Sequence, residues 1–275
     1  MPEGHTIHRL ARAHLTTFGR HPVQVTSPQG RFAAGAALLD GQVLLGAQAH
    51  GKHEFLHFFG GRWLHVHLGL YGKWTFGAGE PPPAVGAVRV RLAGAGAGAG
   101  AGAAGSAWAD LRGPTACAVV DAAQVAAVRA RLGPDPLRRD GDPDAAGAKV
   151  RRSRVPLGAL LMQQDVVAGI GNVYRAEALF RARLDPWRPG RDLDADRWEA
   201  LWADLVVLLR DGVKRGRIVT TLAADRPRRR GGVPVEDAHY VYRRTGLPCR
   251  VCGTPVLAEP MVGRTLYRCP HCQQG

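Results

Sequence analysis

Between Thr6 and Phe18 the apolar residues Ile7, Leu10, Ala11, Leu15 and Phe18 recur every three or four positions, which predicts one helix lying on a core. It opens almost at the first residue of the chain. From about Val23 to Val120 the pattern changes to short β-type runs, among them Val43–Ala47, Glu54–Phe59, Trp63–Leu68, Val88–Leu92 and Cys117–Val120. Apolar and polar positions partly alternate there, and turn signals such as Gly60-Gly61 lie between the runs, so an antiparallel sandwich or barrel is expected. Inside this region, the Ala/Gly repeat Ala93–Gly105 has no side chain able to specify packing and reads as an inert flexible connection between strands.

A short helix over Gln124–Leu132 leads into Gly133-Pro134-Asp135-Pro136-Leu137 and a charged stretch to about Arg154, the expected domain linker. Helical spacing then returns over Pro156–Asp165 and Val173–Arg183, separated by Gly169-Ile170-Gly171-Asn172, and over the longer Ala195–Val213. The segment Arg226–Gly232 is basic and glycine-rich, hence expected to be mobile, and a compact cysteine module closes the chain. The expected division is 1–136, 137–240 and 241–275: an α+β chain with a β-sandwich first, helices next and a small finger last.

Composition narrows the partner. Among 275 residues, 37 Lys and Arg face 23 Asp and Glu, a formal charge of +14 that favours a polyanion, most simply nucleic acid. A membrane surface is the rival, weakened because no basic amphipathic helix or lipidation signal stands out. No stretch approaches the roughly 18–20 apolar residues of a bilayer span. MPEGHTIHRL also lacks the apolar centre of a signal peptide, so a cytoplasmic protein is expected.

Four of the five cysteines fall in the last 27 residues as Cys249-x2-Cys252, sixteen residues, then Cys269-x2-Cys272. In a reducing compartment this spacing indicates a four-thiolate zinc site rather than two disulfides. Four protein ligands leave no open position, so the metal is expected to be structural. Between the knuckles, Arg264 and Arg268 should lie on a β-hairpin that the metal makes rigid enough to hold an arginine against a phosphate. His271 is superfluous as a ligand, and Cys117, alone in an apolar run, reads as a small hydrophobe. His65 and His67 would share one strand face near His50, His53 and His57, but nothing else in the sequence completes a second metal site.

The chain starts Met1-Pro2-Glu3-Gly4-His5. A small second residue allows removal of the initiator methionine, which would expose the secondary amine of Pro2. An α-amino group has a pKa of about 7.7–8.0, so a sizeable fraction is neutral and nucleophilic near pH 7. Attack on C1′ of a deoxyribose would expel the base and leave an iminium, which acidifies C2′ and permits loss of the 3′ phosphate. Glu3 is placed to shuttle the protons. Taken alone, the same residues also describe an unremarkable terminus.

Pro2-Glu3-Gly4 at the start, Gly51-Lys52, the run from Asp165 to Glu177 and the four-cysteine finger occur in an order and spacing that together resemble the formamidopyrimidine-DNA glycosylase and endonuclease VIII family over essentially the whole chain. The resemblance implies a β-sandwich, a helix–two-turn–helix domain and a zinc finger, with damaged DNA held in the cleft between the domains. It implies that Pro2 is the Schiff-base nucleophile, Glu3 the proton donor and acceptor, and Lys52 a phosphate contact that assists lesion processing. Asn172 and Arg264 would grip the phosphates around the lesion. Leu70 and Tyr71, in His67-Leu68-Gly69-Leu70-Tyr71-Gly72-Lys73, fall where the family places the wedge that fills the gap left by the flipped nucleotide; core packing is the other reading of both.

Gly169 and Gly171 are expected to make tight turns with positive φ. Asn172 would then open the next helix, where free N–H groups favour an anion. A helical hairpin with a capping Asn describes the same geometry without DNA. The wedge and the Pro-Glu-Gly-His start are closer to the endonuclease VIII branch, which implies oxidised pyrimidines as substrates for a monomeric, bifunctional glycosylase and abasic-site lyase. Thr6 departs from the family, many members of which carry a glutamate there. A non-catalytic nucleic-acid binder on the same scaffold is the alternative.

Overall fold

The structure, a computed structural model, describes residues 2–94, 107–227 and 231–274. Most of the Ala/Gly repeat, and Arg228–Arg230 of the basic segment, lie outside the described residues. The chain forms two compact units, residues 1–131 and 132–275.

The first unit begins with helix α1 (Gly4–Phe18), whose buried stripe is Gly4, His5, Ile7, Ala11, His14 and Phe18. It packs on two four-stranded antiparallel sheets. One runs β1 (Val23–Thr26), β6 (Val88–Gly94), β7 (Ala107–Arg112), β5 (Lys73–Ala78); the other runs β2 (Leu44–His50), β3 (His53–Phe58), β4 (Arg62–His67), β8 (Ala116–Val120). Inward residues of both sheets, including Val25, Leu92, Leu111, Leu56, Phe58, Leu64 and Val66, make one core with Ile7 and Phe18 of α1. Burying each such side chain contributes about 1.5–3 kcal/mol. Helix α2 (Ala33–Leu39) was not legible in the apolar pattern; only Ala36 and Leu39 of its seven residues are buried. Helix α3 (Ala122–Ala130) opens on a capping box between Asp121 and Gln124.

The second unit corrects two expectations. Residues 133–154 do not form a linker: Gly133 N–H donates to Gln164 O and Ala168 N–H to Pro134 O, tying the Gly-Pro-Asp-Pro segment down. Helix α4 (Pro143–Arg151) follows, capped by Asp142 with Pro143 in its first turn. Its Ala146 and Val150 join the core around Trp198, and Trp198 Nε1 donates to Pro143 O at 2.8 Å. Charged residues masked that short apolar face. Conversely, the expected helix over 156–165 is only the short α5 (Leu157–Leu160), after which the chain turns.

Helix α6 (Asn172–Arg181) is buried along nine successive residues, and α7 (Ala195–Arg215), capped by Asp194, covers it. The finger hairpin, β9 (Leu257–Met261) and β10 (Arg264–Arg268), belongs to the same unit. Phe180, Tyr240, Val241 and Val256 share a cluster with the cysteines, and Gln273 Nε2 donates to Leu184 O at 3.0 Å. The finger thus has no core separate from the helices.

Candidate active site and metal centre

Pro2 is half-buried immediately ahead of α1, and Glu3 occupies the N-cap position with no exposed surface. Glu3 O accepts from the backbone N–H groups of Thr6 and Ile7, so the first turn of the helix holds this end of the chain. Thr6 Oγ1 lies 3.2 Å from His5 Nε2. Burial, the amino-terminal charge and Arg9 push the His5 pKa down to about 4, leaving a neutral imidazole beside the start of the helix at neutral pH.

Lys52 sits half-buried in the turn between β2 and β3, where Gly51 has φ 58°. Around it lie the histidines of the sheet. His53 faces His50 on one side and His67 on the other in the strand register. His53 Nδ1 is 2.8 Å from His65 Nε2, and its ring centroid is 4.7 Å from that of His67. Burial first, then the neighbouring imidazoles and Arg131, lowers His53 to about 3; burial, His67 and Arg131 lower His65 to about 4. His67 is lowered by burial and by the Lys52 ammonium. His53, His65 and His67 are therefore uncharged near pH 7, and Lys52 and Arg131 are the cations beside them. Among the described residues, only the cysteines gather three or more groups able to hold a metal.

Leu70 and Tyr71 stand on the loop between β4 and β5. Tyr71 is 88 % exposed, which core packing does not describe, and Leu70 is 41 % exposed. The loop turns on Gly72, whose N–H donates to Leu68 O at 2.9 Å; a Cβ at Gly72 would lie 2.2 Å from that oxygen.

In the second unit, Gly169 adopts φ 95° as expected, but Gly171 is extended at φ −127° and serves as the N-cap of α6. Asn172 is therefore the first helical residue and not a cap. Its side chain is buried, its Nδ2 donates to Thr265 O at 2.9 Å, and its Oδ1 accepts from Arg175 Nη2. Thr265 adjoins Arg264, which is exposed at the start of β10 beyond the Val262-Gly263 turn. Arg175, fully buried, and Glu177 are residues to which sequence reasoning assigned no role. An Arg on an apolar helix face was the available signal.

The four sulfurs lie within 4.8 Å of one another, with Cys249 to Cys272 at 3.9 Å and Cys252 to Cys269 at 3.5 Å. A tetrahedron with Zn–S near 2.3 Å has edges of about 3.8 Å, so the set fits one zinc ion. Backbone N–H groups of Val251 and Cys272 point at Cys249 Sγ and Cys269 Sγ, at 3.5 and 3.4 Å. Cys249, Cys252, Cys269 and Cys272 would hold one structural zinc with no free coordination position. Cys117 stands apart, and burial raises its thiol to about 12.

A helix-led β-sandwich with a buried glutamate behind a proline at position 2, and a helix–two-turn–helix braced by a four-thiolate finger, define a DNA glycosylase with abasic-site lyase activity. Comparison with known proteins agrees. The formamidopyrimidine-DNA glycosylase N-terminal domain matches residues 1–115, and the formamidopyrimidine-DNA glycosylase H2TH domain matches residues 132–224. The chain belongs to the formamidopyrimidine-DNA glycosylase and endonuclease VIII family.

It is 50 % identical to Endonuclease 8 1 of Mycobacterium tuberculosis, over 99 % of this chain and 100 % of that protein. With formamidopyrimidine-DNA glycosylase of Thermus thermophilus the identity is 32 %, over 99 % and 97 %. The crystal structure of the MutM (Fpg) protein from that organism superposes with a TM-score of 0.76 at 30 % identity, covering 99 % of this chain and 98 % of the other. The protein is thus an endonuclease VIII-like bifunctional glycosylase and lyase of base excision repair that removes oxidised bases. That sets aside the reading as a non-catalytic binder. No helix among the described residues is long and apolar enough to cross a membrane.

Proposed function

We propose that the preferred substrates are oxidised pyrimidines in DNA, and that Pro2, freed by loss of Met1, is the nucleophile. The branch supports the first point, through the 50 % identity to an endonuclease 8. The observation that carries the second is the placement of Pro2 directly before a buried Glu3 at the head of a rigid helix.

The neutral amine attacks C1′, the N–C1′ bond forms, and the glycosidic bond breaks as the base departs with a proton. Ring opening leaves an iminium. Removal of a C2′ proton then drives electrons into a C2′–C3′ double bond, and the 3′ phosphate leaves; hydrolysis of the iminium returns the amine. Glu3 donates and accepts these protons. Lys52 neutralises phosphate charge and assists lesion processing. Tyr71 and Leu70 enter the base stack, and Asn172 and Arg264 grip the backbone. A Lactococcus lactis relative has been captured with FAPY-dG-containing DNA; at 21 % identity it shares the fold alone. We assign this chain damaged DNA as partner, a monomeric state and a cytoplasmic location.

Borohydride should trap a covalent complex with abasic or thymine-glycol DNA, and a blocked terminus should abolish it. Trapping that survives a blocked terminus would identify an internal lysine as nucleophile and end this reading. Intact mass of the purified protein checks that Met1 is gone.

A further inference from the structure

Three elements of the first unit bear the proposed chemistry: α1 carries Pro2 and Glu3 at its head, the β2–β3 turn carries Lys52, and the β4–β5 loop carries Leu70 and Tyr71. The helix and the two strands that continue from the turn and the loop, β3 and β5, meet at one carboxylate. Glu54, two residues after Lys52 on β3, accepts from His14 Nδ1 of α1 at 2.8 Å through Oε1. Through Oε2 it accepts from Trp74 Nε1 of β5 at 2.9 Å. His14 and Glu54 are both fully buried, and Trp74 is buried too. His14 Nδ1 also lies 3.0 Å from Leu10 O, so both neighbours of this nitrogen are acceptors and it carries the hydrogen. The imidazole is fixed further by rings: Trp74 edge-on at 4.5 Å and Phe76 at 4.8 Å.

Apolar burial is non-directional and fixes the register of a helix less sharply than a polar contact does. A bidentate carboxylate in a dry core is directional, and misplacing it leaves buried polar groups unpaired. A helix slipping by one residue moves about 1.5 Å along its axis and turns about 100°. His14 is about three turns from Gly4, the first residue of α1, which follows Pro2 and Glu3 directly, so its anchor bears on where the amine sits.

We propose that Glu54 is a positioning residue that registers the amine of Pro2 against Lys52 and the wedge loop through His14 and Trp74. It touches no substrate. The proposal rests on the roles given above to Pro2, Lys52 and the wedge. Because near-attack geometry is steep in distance, displacement of roughly 1 Å costs on the order of 100-fold in rate.

A merely structural network predicts the opposite outcome in one variant. Replacing a whole buried polar set by apolar groups of similar shape is often neutral or stabilising, whereas removing one member is not. The triple variant His14→Leu/Glu54→Leu/Trp74→Phe should therefore fold with an unfolding midpoint at or above that of the parent. Its single-turnover borohydride trapping rate on abasic DNA should nevertheless fall at least about tenfold. Affinity for DNA bearing a tetrahydrofuran abasic analogue should stay within about threefold, since the phosphate contacts are untouched.

A folded triple variant that traps within about twofold of the parent, or one whose loss is confined to affinity, overturns the proposal. Should the triple variant fail to fold, Glu54→Gln, which keeps shape and one acceptor, is read the same way, and unchanged trapping overturns it. Protein with a blocked amino terminus is run alongside. If it still traps, the nucleophile assignment fails; a fast triple variant beside an inert blocked protein removes only the role of Glu54.

Discussion

The side-chain amide of Asn172, first residue of α6, donates to the backbone carbonyl of Thr265 in the finger hairpin at 2.9 Å. The two residues proposed to grip phosphate in the second unit, Asn172 and Arg264, are thereby one hydrogen bond and one peptide link apart. Arg175 Nη2 reaches Asn172 Oδ1 and, at 3.4 Å, Thr265 O. A single buried guanidinium braces both.

Arg175→Ala should loosen that brace. We expect a lower unfolding midpoint and a dissociation constant for abasic-analogue DNA raised about tenfold, or ~1.4 kcal/mol. Trapping at saturating enzyme should change little. Arg175→Lys should not rescue binding, because an ammonium lacks the planar fork that spans two acceptors. Equilibrium binding beside single-turnover trapping checks the split.

Glu177 organises the turning segment that leads into the finger. It accepts from the backbone N–H groups of Tyr240, Val241 and Tyr242 at 2.7–2.8 Å and from Thr220 Oγ1. Glu177→Gln replaces one acceptor oxygen by a donor facing donors. Loss of charge-assisted bonds at a buried site costs about 1.5–3 kcal/mol each, and a drop of at least that size is expected in chemical denaturation.

Removing the zinc should release the hairpin. Metal-free protein, or Cys272→Ser, should lose affinity for abasic-analogue DNA and unfold the second unit at lower temperature. Metal analysis with thermal unfolding tests this; binding and stability that survive complete loss of metal would remove the structural role.

Acid should destabilise the first unit through its histidines. His53 at about 3 and His65 at about 4 lie below the unfolded value near 6.5, so the unfolded chain binds more protons in between. Stability from this source is complete above pH 6.5 and is lost progressively as pH falls towards 3. Denaturation midpoints at pH 7 and pH 5 should show the decline, and His53→Gln should flatten it.

Legibility varied with the range of the interaction. The N-terminal helix, the alternating strands and the Cys-x2-Cys knuckles are local patterns, and each appears in the structure near its expected place. The segment 143–151 was hidden because its apolar face is only Ala146 and Val150 among charges, and that face packs on Trp198, far along the chain. Asn172 opens α6 as expected, but Gly171 is its cap, and the asparagine side chain is taken up by Thr265 and Arg175. Glu54 carried no signal at all, since a carboxylate in an alternating strand reads as a solvent-facing position.

By itself the order of residues determined the α+β class, the four-thiolate metal site and the family, because each rests on spacing within a short stretch or on motif order along the chain. Tertiary structure alone decided that 133–154 packs with the helices, that Asn172 is held by the finger, and that α1, β3 and β5 converge on Glu54. Those outcomes depend on which distant side chains share a dry interior, where hydrogen bonds are directional and unpaired polar groups are costly, and no local pattern encodes that.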